Sequence, residues 1–341
     1  MKKNILLFGN YGGQNWGDEA ILSGMLAALP LDIFRITVVS ANPKQTENSF
    51  GVRAVFPPAF GLRSFFRFDS SIKKAIQSAD IIIFGGGGLL QNREKKAIFL
   101  WTYYVWYSIF FHKKNILFAA NSVGPLHGIL ARLLAKWVLT KVRFFSVRDV
   151  ASARLLQDLG FPKKKLSLAT DAIFLKRKKI FRGKREGTLL AIRGDGAFSL
   201  AKIKKIIPFL PQPVRAIAMD NIDTAFAQKM KVSLVHLDDI DDVYNAFASA
   251  AIVLTSRLHG ALLSLHNETP FVALCAAPKV KHFLRERGLS DLLVSETISS
   301  KKLLHTIQTV YEQQSNWRNI LSTVRRKEVS LAKHIFPAFL R

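Results

Sequence analysis

Four residues sit just past the ends of short apolar runs, and their chemistry is not what a core needs. Arg193 closes LLAIR, Arg257 and His259 follow AIVLTS, and Lys279 lies in APKV after FVALCA. Arginine grips a carboxylate or phosphate through two parallel N–H donors, whereas lysine acts as a point charge. Histidine near neutral pH holds a phosphate or hands over a proton. If runs 251–256 and 271–276 are neighbouring strands, their ends lie ~4.8 Å apart and share one rim. Helix N-termini at such a rim also favour anions. The set is expected to bind a small dianion or trianion. His266, two turns beyond His259, is expected to pack.

A second group of residues is glycine-rich. FGNYGGQNWGDEAI (8–21) ends the first apolar run and contains Gly12, Gly13, Asn15 and Gly17. Its spacing is neither GxGxxG nor a Walker A loop, so it gives no dinucleotide or nucleotide fingerprint. Asp18 and Glu19 open the following helix. They read either as first-turn acids favoured by the helix dipole or, for Asp18, as a catalytic base. FGGGGLLQN (84–92), with Gly86 and Gly87, suits a backbone nest or a plain tight turn. Arg148 ends SVRD, where a local ion pair is the alternative to a site role. Gly12, Gly13, Asn15, Gly86, Gly87 and Arg148 are expected to line a cleft.

The elements that must position these residues alternate. NILLFG (4–9), FRITVVS (34–40), VRAVF (52–56), DIIIFGGGG (80–88), NILFAANSVG (115–124), FFSVRD (144–149) and KLSLATDAIF (165–174) read as strands, with helices between. After a charged stretch the pattern restarts with TLLAIRGDG (188–196), VRAIAMD (214–220), VSLVHL (232–237), AIVLTS and FVALCA. Strands that are apolar throughout and alternate with helices predict parallel sheets covered on both faces. The fold class is therefore α/β, as two facing Rossmann-like domains. The expected domains are 1–175, a basic linker 176–187, 188–300, and C-terminal amphipathic helices 301–341. Ligands in such sheets bind outside the carboxyl ends of the strands.

Composition narrows the partners. The chain has 341 residues, 49% of them hydrophobic, and a net charge of +26. That charge implies an anionic partner, yet no helix-turn-helix, zinc-finger, RRM or KH signature accompanies it, so nucleic acid is set aside. An anionic membrane surface fits the basic clusters KRKKIFRGKR (176–185) and RRK (325–327). AIFLWTYYVWYSIFF (97–111) would span ~23 Å as a helix, short of a ~30 Å hydrocarbon core. It is expected as a core helix, with a helix dipping into a membrane surface as the alternative. The single cysteine, Cys275, excludes an internal disulfide framework and fits a reducing cytosol. It reads as a buried small hydrophobe with no metal-ligand spacing around it.

The motifs together resemble the polysaccharide pyruvyl transferase family. The resemblance rests on GNYGGQNWGDEAIL (9–22), ADIIIFGGGGLLQ (79–91), SVGP (122–125), SVRDVASARLLQDLG (146–160), the Thr-Asp at 170–171, AIR (191–193), and SRLHGALLS through PKVKHFLRERGL (256–289). It departs at Ala276 and Ala277, where the family often has Tyr-Asp, and at Ala120 and Asn121, where it often has Gly-Gln. The resemblance implies a GT-B-like fold that needs no metal and no cofactor. Its co-substrate is phosphoenolpyruvate (PEP), which donates a pyruvyl group to two hydroxyls of one sugar and releases phosphate. On that resemblance Arg257, Arg193 and Lys279 would bind PEP, His259 would be the acid and Asp18 the base. The acceptor would be a polymeric or lipid-linked saccharide, met in the cytoplasm or at the inner membrane face. The alternatives are a nucleotide-sugar-dependent glycosyltransferase, with Glu268 as the one candidate ribose-binding acid, and a non-catalytic saccharide- or membrane-binding relative.

Overall fold

The computed structural model describes residues 2–59, 70–93, 96–111, 115–194, 199–275 and 278–340. The chain divides into two compact units. The first comprises Met1–Gly13, Asp18–Lys176 and Val329–Arg341; the second comprises Gln14–Gly17 and Arg177–Glu328.

The first unit holds seven parallel strands: β1 (Lys3–Tyr11), β2 (Phe34–Ser40), β3 (Arg53–Val55), β4 (Ile81–Gly85), β5 (Asn115–Asn121), β6 (Val142–Val147) and β7 (Leu166–Leu168). Their order across the sheet is β3-β2-β1-β4-β5-β6-β7. The central strands are apolar on both faces, which only a sheet covered on both sides can satisfy. Register lines up Phe8, Phe84, Phe118 and Phe145 on β1, β4, β5 and β6. Their rings stack as a ladder with centroids 4.9, 4.9 and 4.8 Å apart. This aromatic row fixes register, because a one-residue slip would turn every ring to the other face.

Among the described residues six α-helices connect these strands: α1 (Trp16–Ala27), α2 (Pro43–Phe50), α3 (Ser70–Ser78), α4 (Ala97–Phe111), α5 (Ile129–Lys141) and α6 (Val150–Asp158). The aromatic segment forms α4, and its Ile98, Trp101, Tyr104, Val105 and Tyr107 are buried against the sheet. It is a core helix. Among the described residues no helix is long and apolar enough to cross a membrane.

The second unit repeats the plan with β8 (Thr188–Ala191), β9 (Val214–Ala216), β10 (Ser233–Leu234), β11 (Ile252–Thr255), β12 (Phe271–Cys275) and β13 (Leu293–Ser295). The order is β10-β9-β8-β11-β12-β13. Its helices are α7 (Leu200–Ile206), α8 (Asn221–Lys229), α9 (Ile240–Ser249), α10 (Leu258–Asn267), α11 (Pro278–Glu286), α12 (Ser300–Glu312) and α13 (Gln314–Ala332). VRAIAMD reads as a strand to Asp220, yet β9 stops at Ala216. The reason lies beyond its end, where Asp220 caps α8 and the Met219 N–H donates to Asp223 Oδ2 at 3.2 Å.

In each sheet the chain runs outward in one direction and then crosses to the other side. The reversals fall between β1 and β4, and between β8 and β11. These are the switch points at which doubly wound sheets bind ligands.

The basic segment 176–187 has no helix or strand. Lys178 pairs with Glu268, and Lys179 Nζ lies 2.6 Å from Asp241. Arg185 donates to Thr269 Oγ1 at 2.8 Å and to the Asn267 carbonyl at 3.0 Å. The C-terminal helices are shared out between the units. α12 and α13 up to Glu328 belong to the second. Beyond them Ser146 Oγ donates to the Ile335 carbonyl at 2.7 Å, tying the end of the chain to β6.

Candidate functional site

In the second unit β11 pairs with β8 on one side and with β12 on the other, which meets the condition on which the shared rim depends. Arg193 follows β8, Arg257 and His259 follow β11, and Lys279 lies in the first turn of α11, after β12. The strand ends are locked by hydroxyls. Thr255 Oγ1 donates to the Ala191 carbonyl at 2.9 Å and accepts the Arg257 N–H at 3.0 Å. Ser256 Oγ accepts the Arg193 N–H at 2.8 Å. Thr255 and Ser256 therefore fix the main chain at both arginines. Arg193 and Lys279 are exposed, and His259 is half-buried in the first turn of α10. Ala276, Ala277 and the Cys275 side chain lie outside the described residues.

Arg257 occupies the N-cap position of α10 and is only 11% exposed. Its Nε lies 2.6 Å from Asp223 Oδ2, and its Nη2 donates to Asp223 Oδ1 and Asp220 Oδ2, each at 2.6 Å. Asp223 is fully buried and also accepts the N–H groups of Gly194 and Met219, at 3.1 and 3.2 Å. Burial pushes its carboxyl above the usual range, and the Arg257 hydrogen bond and charge pull it back. One carboxylate thus ties together the chain that follows β8, β9 and β11. Sequence reasoning missed Asp220 and Asp223. The available signal was an Asp-x-x-Asp placed directly after an apolar run.

Residues Gln14–Gly17, grouped with this unit, lie against the same edge. The Trp16 N–H donates to the Met219 carbonyl at 2.9 Å, and Gln14 Oε1 accepts from Asn221 Nδ2 at 2.6 Å. A Cβ on Gly17 would stand 2.0 Å from His259 Nδ1, so glycine is what admits the imidazole. Asn15 Oδ1 accepts the Gly17 N–H at 3.0 Å, a cap for the start of α1. Gly13 is exposed.

The switch point of the first unit is acidic. Tyr11 is buried and donates to the Gly85 carbonyl at 2.9 Å, joining the ends of β1 and β4. Burial first, then the charges of Asp18, Glu19 and Asp171, push its phenol well above 10.0. Glu19 is buried, and its Oε1 accepts the Gly12 N–H at 2.7 Å. Burial raises its carboxyl to about 7, against the lowering effect of that hydrogen bond. Asp18 Oδ1 lies 3.8 Å from where a Cβ on Gly87 would stand. Gly86, at φ +67°, has no room for one, since it would meet Ile21 Cγ2 at 2.2 Å.

Arg148 lies in the interior, 9% exposed, and pairs with Asp171 rather than with its neighbour Asp149. Its Nε donates to Ser122 Oγ at 2.7 Å. Asp149 instead caps α6 through the Ser152 N–H. His266 is buried edge-on to Tyr244, and Glu268 is the left-handed C-cap of α10, paired with Lys178. Among the described residues no cluster of three His, Cys, Asp or Glu is arranged to hold a metal ion. The second unit's edge can bind an anion, and the first unit's edge can accept a proton.

Over residues 15–274 the sequence matches one family model, described as polysaccharide pyruvyl transferase. No curated protein matches. Solved structures share the fold at low identity. The putative UDP-N-acetylglucosamine 2-epimerase of Listeria monocytogenes is 10% identical, with a TM-score of 0.62 over 100% of this chain and 94% of that one. The Anabaena HepE structure in complex with UDP and glucose is 12% identical, with a TM-score of 0.61 over 99% and 97%. A glycosyltransferase from Rickettsia africae is 10% identical, with a TM-score of 0.57 over 98% of each. At these identities the likeness shows the fold alone, a GT-B-like pair of Rossmann-like units.

Proposed function

The chain belongs to the polysaccharide pyruvyl transferase family, and on that premise we propose that it moves a pyruvyl group from PEP to two hydroxyls of one sugar. The product is a cyclic ketal and inorganic phosphate. The acceptor is a cell-surface polysaccharide or its lipid-linked precursor, met on the cytoplasmic side of a membrane. The observation that carries the reading is the set of cations that follow the ends of the adjacent strands β8, β11 and β12. Carboxylate and phosphate on one small molecule need several positive groups at one rim. Arg193, Arg257 and Lys279 supply them, beside the N-termini of α10 and α11. Arg257 commits Nε and Nη2 to Asp223 and Asp220, so it would meet PEP through Nη1.

In this mechanism His259 protonates the PEP methylene carbon. The charge that develops at C2 is taken by one sugar hydroxyl, which forms the first C–O bond and gives up its proton. Phosphate then leaves with the C2–O bonding pair, and the neighbouring hydroxyl attacks C2, gives its proton to the departing phosphate and closes the ketal. Asp18 is assigned the hydroxyl proton. Glu19, held near neutrality by burial, is the second group on that edge able to take one.

Thermal-shift titration tests the donor. PEP should raise the melting temperature, while UDP- and GDP-sugars should leave it unchanged. Stabilisation by a nucleotide-sugar and none by PEP would assign the protein to nucleotide-sugar chemistry instead. One observation already weighs against that alternative. Its candidate ribose-binding acid, Glu268, is tied to Lys178, and Arg325 Nη1 lies 3.6 Å from it.

A further inference from the structure

Several cations of the basic clusters that the sequence offers for a membrane are paired within the protein. Lys178, Lys179, Arg185 and Arg325 bond within the second unit. The aromatic helix α4 is committed too, with Ile98, Trp101, Tyr104, Val105 and Tyr107 buried and most of its other large side chains packed against the core. A different element shows the opposite pattern. In α5, Ile129, Leu130 and Leu133 are 79, 58 and 56% exposed. Three large aliphatic side chains on one turn of a surface helix form an apolar tip, which is unusual without a partner.

The surroundings of that tip say what the partner is. Arg132, Lys136 and Lys141 are exposed on the same helix, and Lys141 Nζ lies 5.7 Å over the half-buried Trp137 ring. Between Glu94 and Asp149 the sequence contains no acidic residue. An apolar tip flanked by long cationic side chains, in a stretch of chain without acidic residues, matches the interface of an anionic bilayer. The lysine and arginine stems can lie along the acyl boundary while their charges reach the headgroups.

The placement is fixed as well. α5 begins just past the C-terminal end of β5, so its first turn is on the same sheet edge as the Gly12 and Gly86 loops. That turn is anchored by Asn92, whose Nδ2 donates to the His127 carbonyl at 2.7 Å and whose Oδ1 accepts the His127 N–H at 2.8 Å. The Leu90–Val123 bridge holds the same loop.

We propose that the first turns of α5, through Ile129, Leu130 and Leu133 with Arg132 and Lys136, form the contact of this protein with an anionic lipid surface. Docked so, the ligand-binding edge of the first unit lies next to the headgroups, where a lipid-linked sugar is presented. The purpose of this contact rests on the acceptor reading above. The contact itself is measured with neither PEP nor acceptor present, so the two can fail separately.

The test is co-sedimentation of the full chain with vesicles of phosphatidylcholine alone, or with about one third phosphatidylglycerol. Wild type should bind the anionic vesicles, less so as salt rises, and leave the neutral ones largely unbound. Changing Ile129→Ser, Leu130→Ser and Leu133→Ser together should weaken binding ~10-fold or more. A second variant, Arg132→Gln with Lys136→Gln, keeps the apolar tip and should also weaken binding ~10-fold. Phe99→Ser with Phe110→Ser on α4 should stay within about two-fold of wild type. The proposal is overturned if wild type ignores anionic vesicles, or if both α5 variants bind them as wild type does. It is equally overturned if the serine variant turns a dimer into a monomer, which would assign the tip to a second copy of the chain.

Discussion

Arg257 and Asp223 form a two-point ion pair, Nε to Oδ2 and Nη2 to Oδ1, each at 2.6 Å, with the carboxylate fully buried. The pair turns the arginine from a flexible surface cation into a fixed part of the β8/β11 rim. Asp223 also accepts from the chain that follows β8 and β9, so this one side chain sets the relative position of three strand ends.

Breaking that pair should be costly. Asp223→Ala leaves a nearly buried guanidinium with Asp220 alone and two N–H groups without their acceptor. The expected loss is ~3 kcal/mol or more of unfolding free energy, measured by urea denaturation. Asp220→Ala removes the α8 cap and the more exposed partner, and should cost about half as much. Equal, small losses in both would contradict the hub role of Asp223.

Gly17→Ala addresses the packing of His259. Its Cβ would lie 2.0 Å from the imidazole Nδ1, so the ring must move. Circular dichroism should be unchanged, since alanine is a good helix former. Transfer activity should fall ~10²-fold, because a displaced proton donor loses its geometry. Wild-type turnover would show that the ring position is irrelevant.

Glu19 makes a pH prediction. An unfolded glutamate ionises near 4.5, and in the folded chain this one ionises at about 7. Below the first value both states hold the proton, so nothing is lost. As pH rises between the two, the unfolded chain releases the proton and the folded one keeps it, so stability falls. Above the second value the penalty is constant, at roughly 3 kcal/mol. Glu19→Gln keeps an acceptor for the Gly12 N–H and removes the titration. Urea midpoints at pH 5 and pH 8 should show a fall in wild type that the variant lacks.

Arg193 is exposed at the rim and its main chain is held by Ser256. Arg193→Ala should therefore leave stability within about 0.5 kcal/mol of wild type. It should raise the KM for PEP by roughly 10- to 100-fold, the worth of a charge-assisted hydrogen bond. An unchanged KM would remove Arg193 from the donor site.

Much of this was legible in the sequence. Apolar runs alternating with helices imply two parallel sheets, and the structure supplies the pairing of β11 with β12 on which the shared rim depends. Helix α10 carries a continuous apolar face, and the expectation that His266 packs follows from that face. Less legible were the partners of the charged residues. Nothing local says that Arg257 meets Asp223, or that Arg148 meets Asp171 in preference to its neighbour, because both pairs join separate strand ends. The exposed tip of α5 was hidden for a related reason. Its apolar residues continue around the helix, and only packing decides which of them find the core.

The most direct measurement is release of inorganic phosphate from PEP in the presence of a glycolipid or polysaccharide acceptor extract, with wild type and His259→Ala side by side. Wild type should release phosphate only when acceptor is present and should convert sugar hydroxyls to a pyruvyl ketal. The variant should fold and be ~10²- to 10⁴-fold slower. Acceptor-dependent phosphate release that is the same in both proteins would contradict the assignment of His259 as the acid, and no release from wild type would contradict the transfer itself.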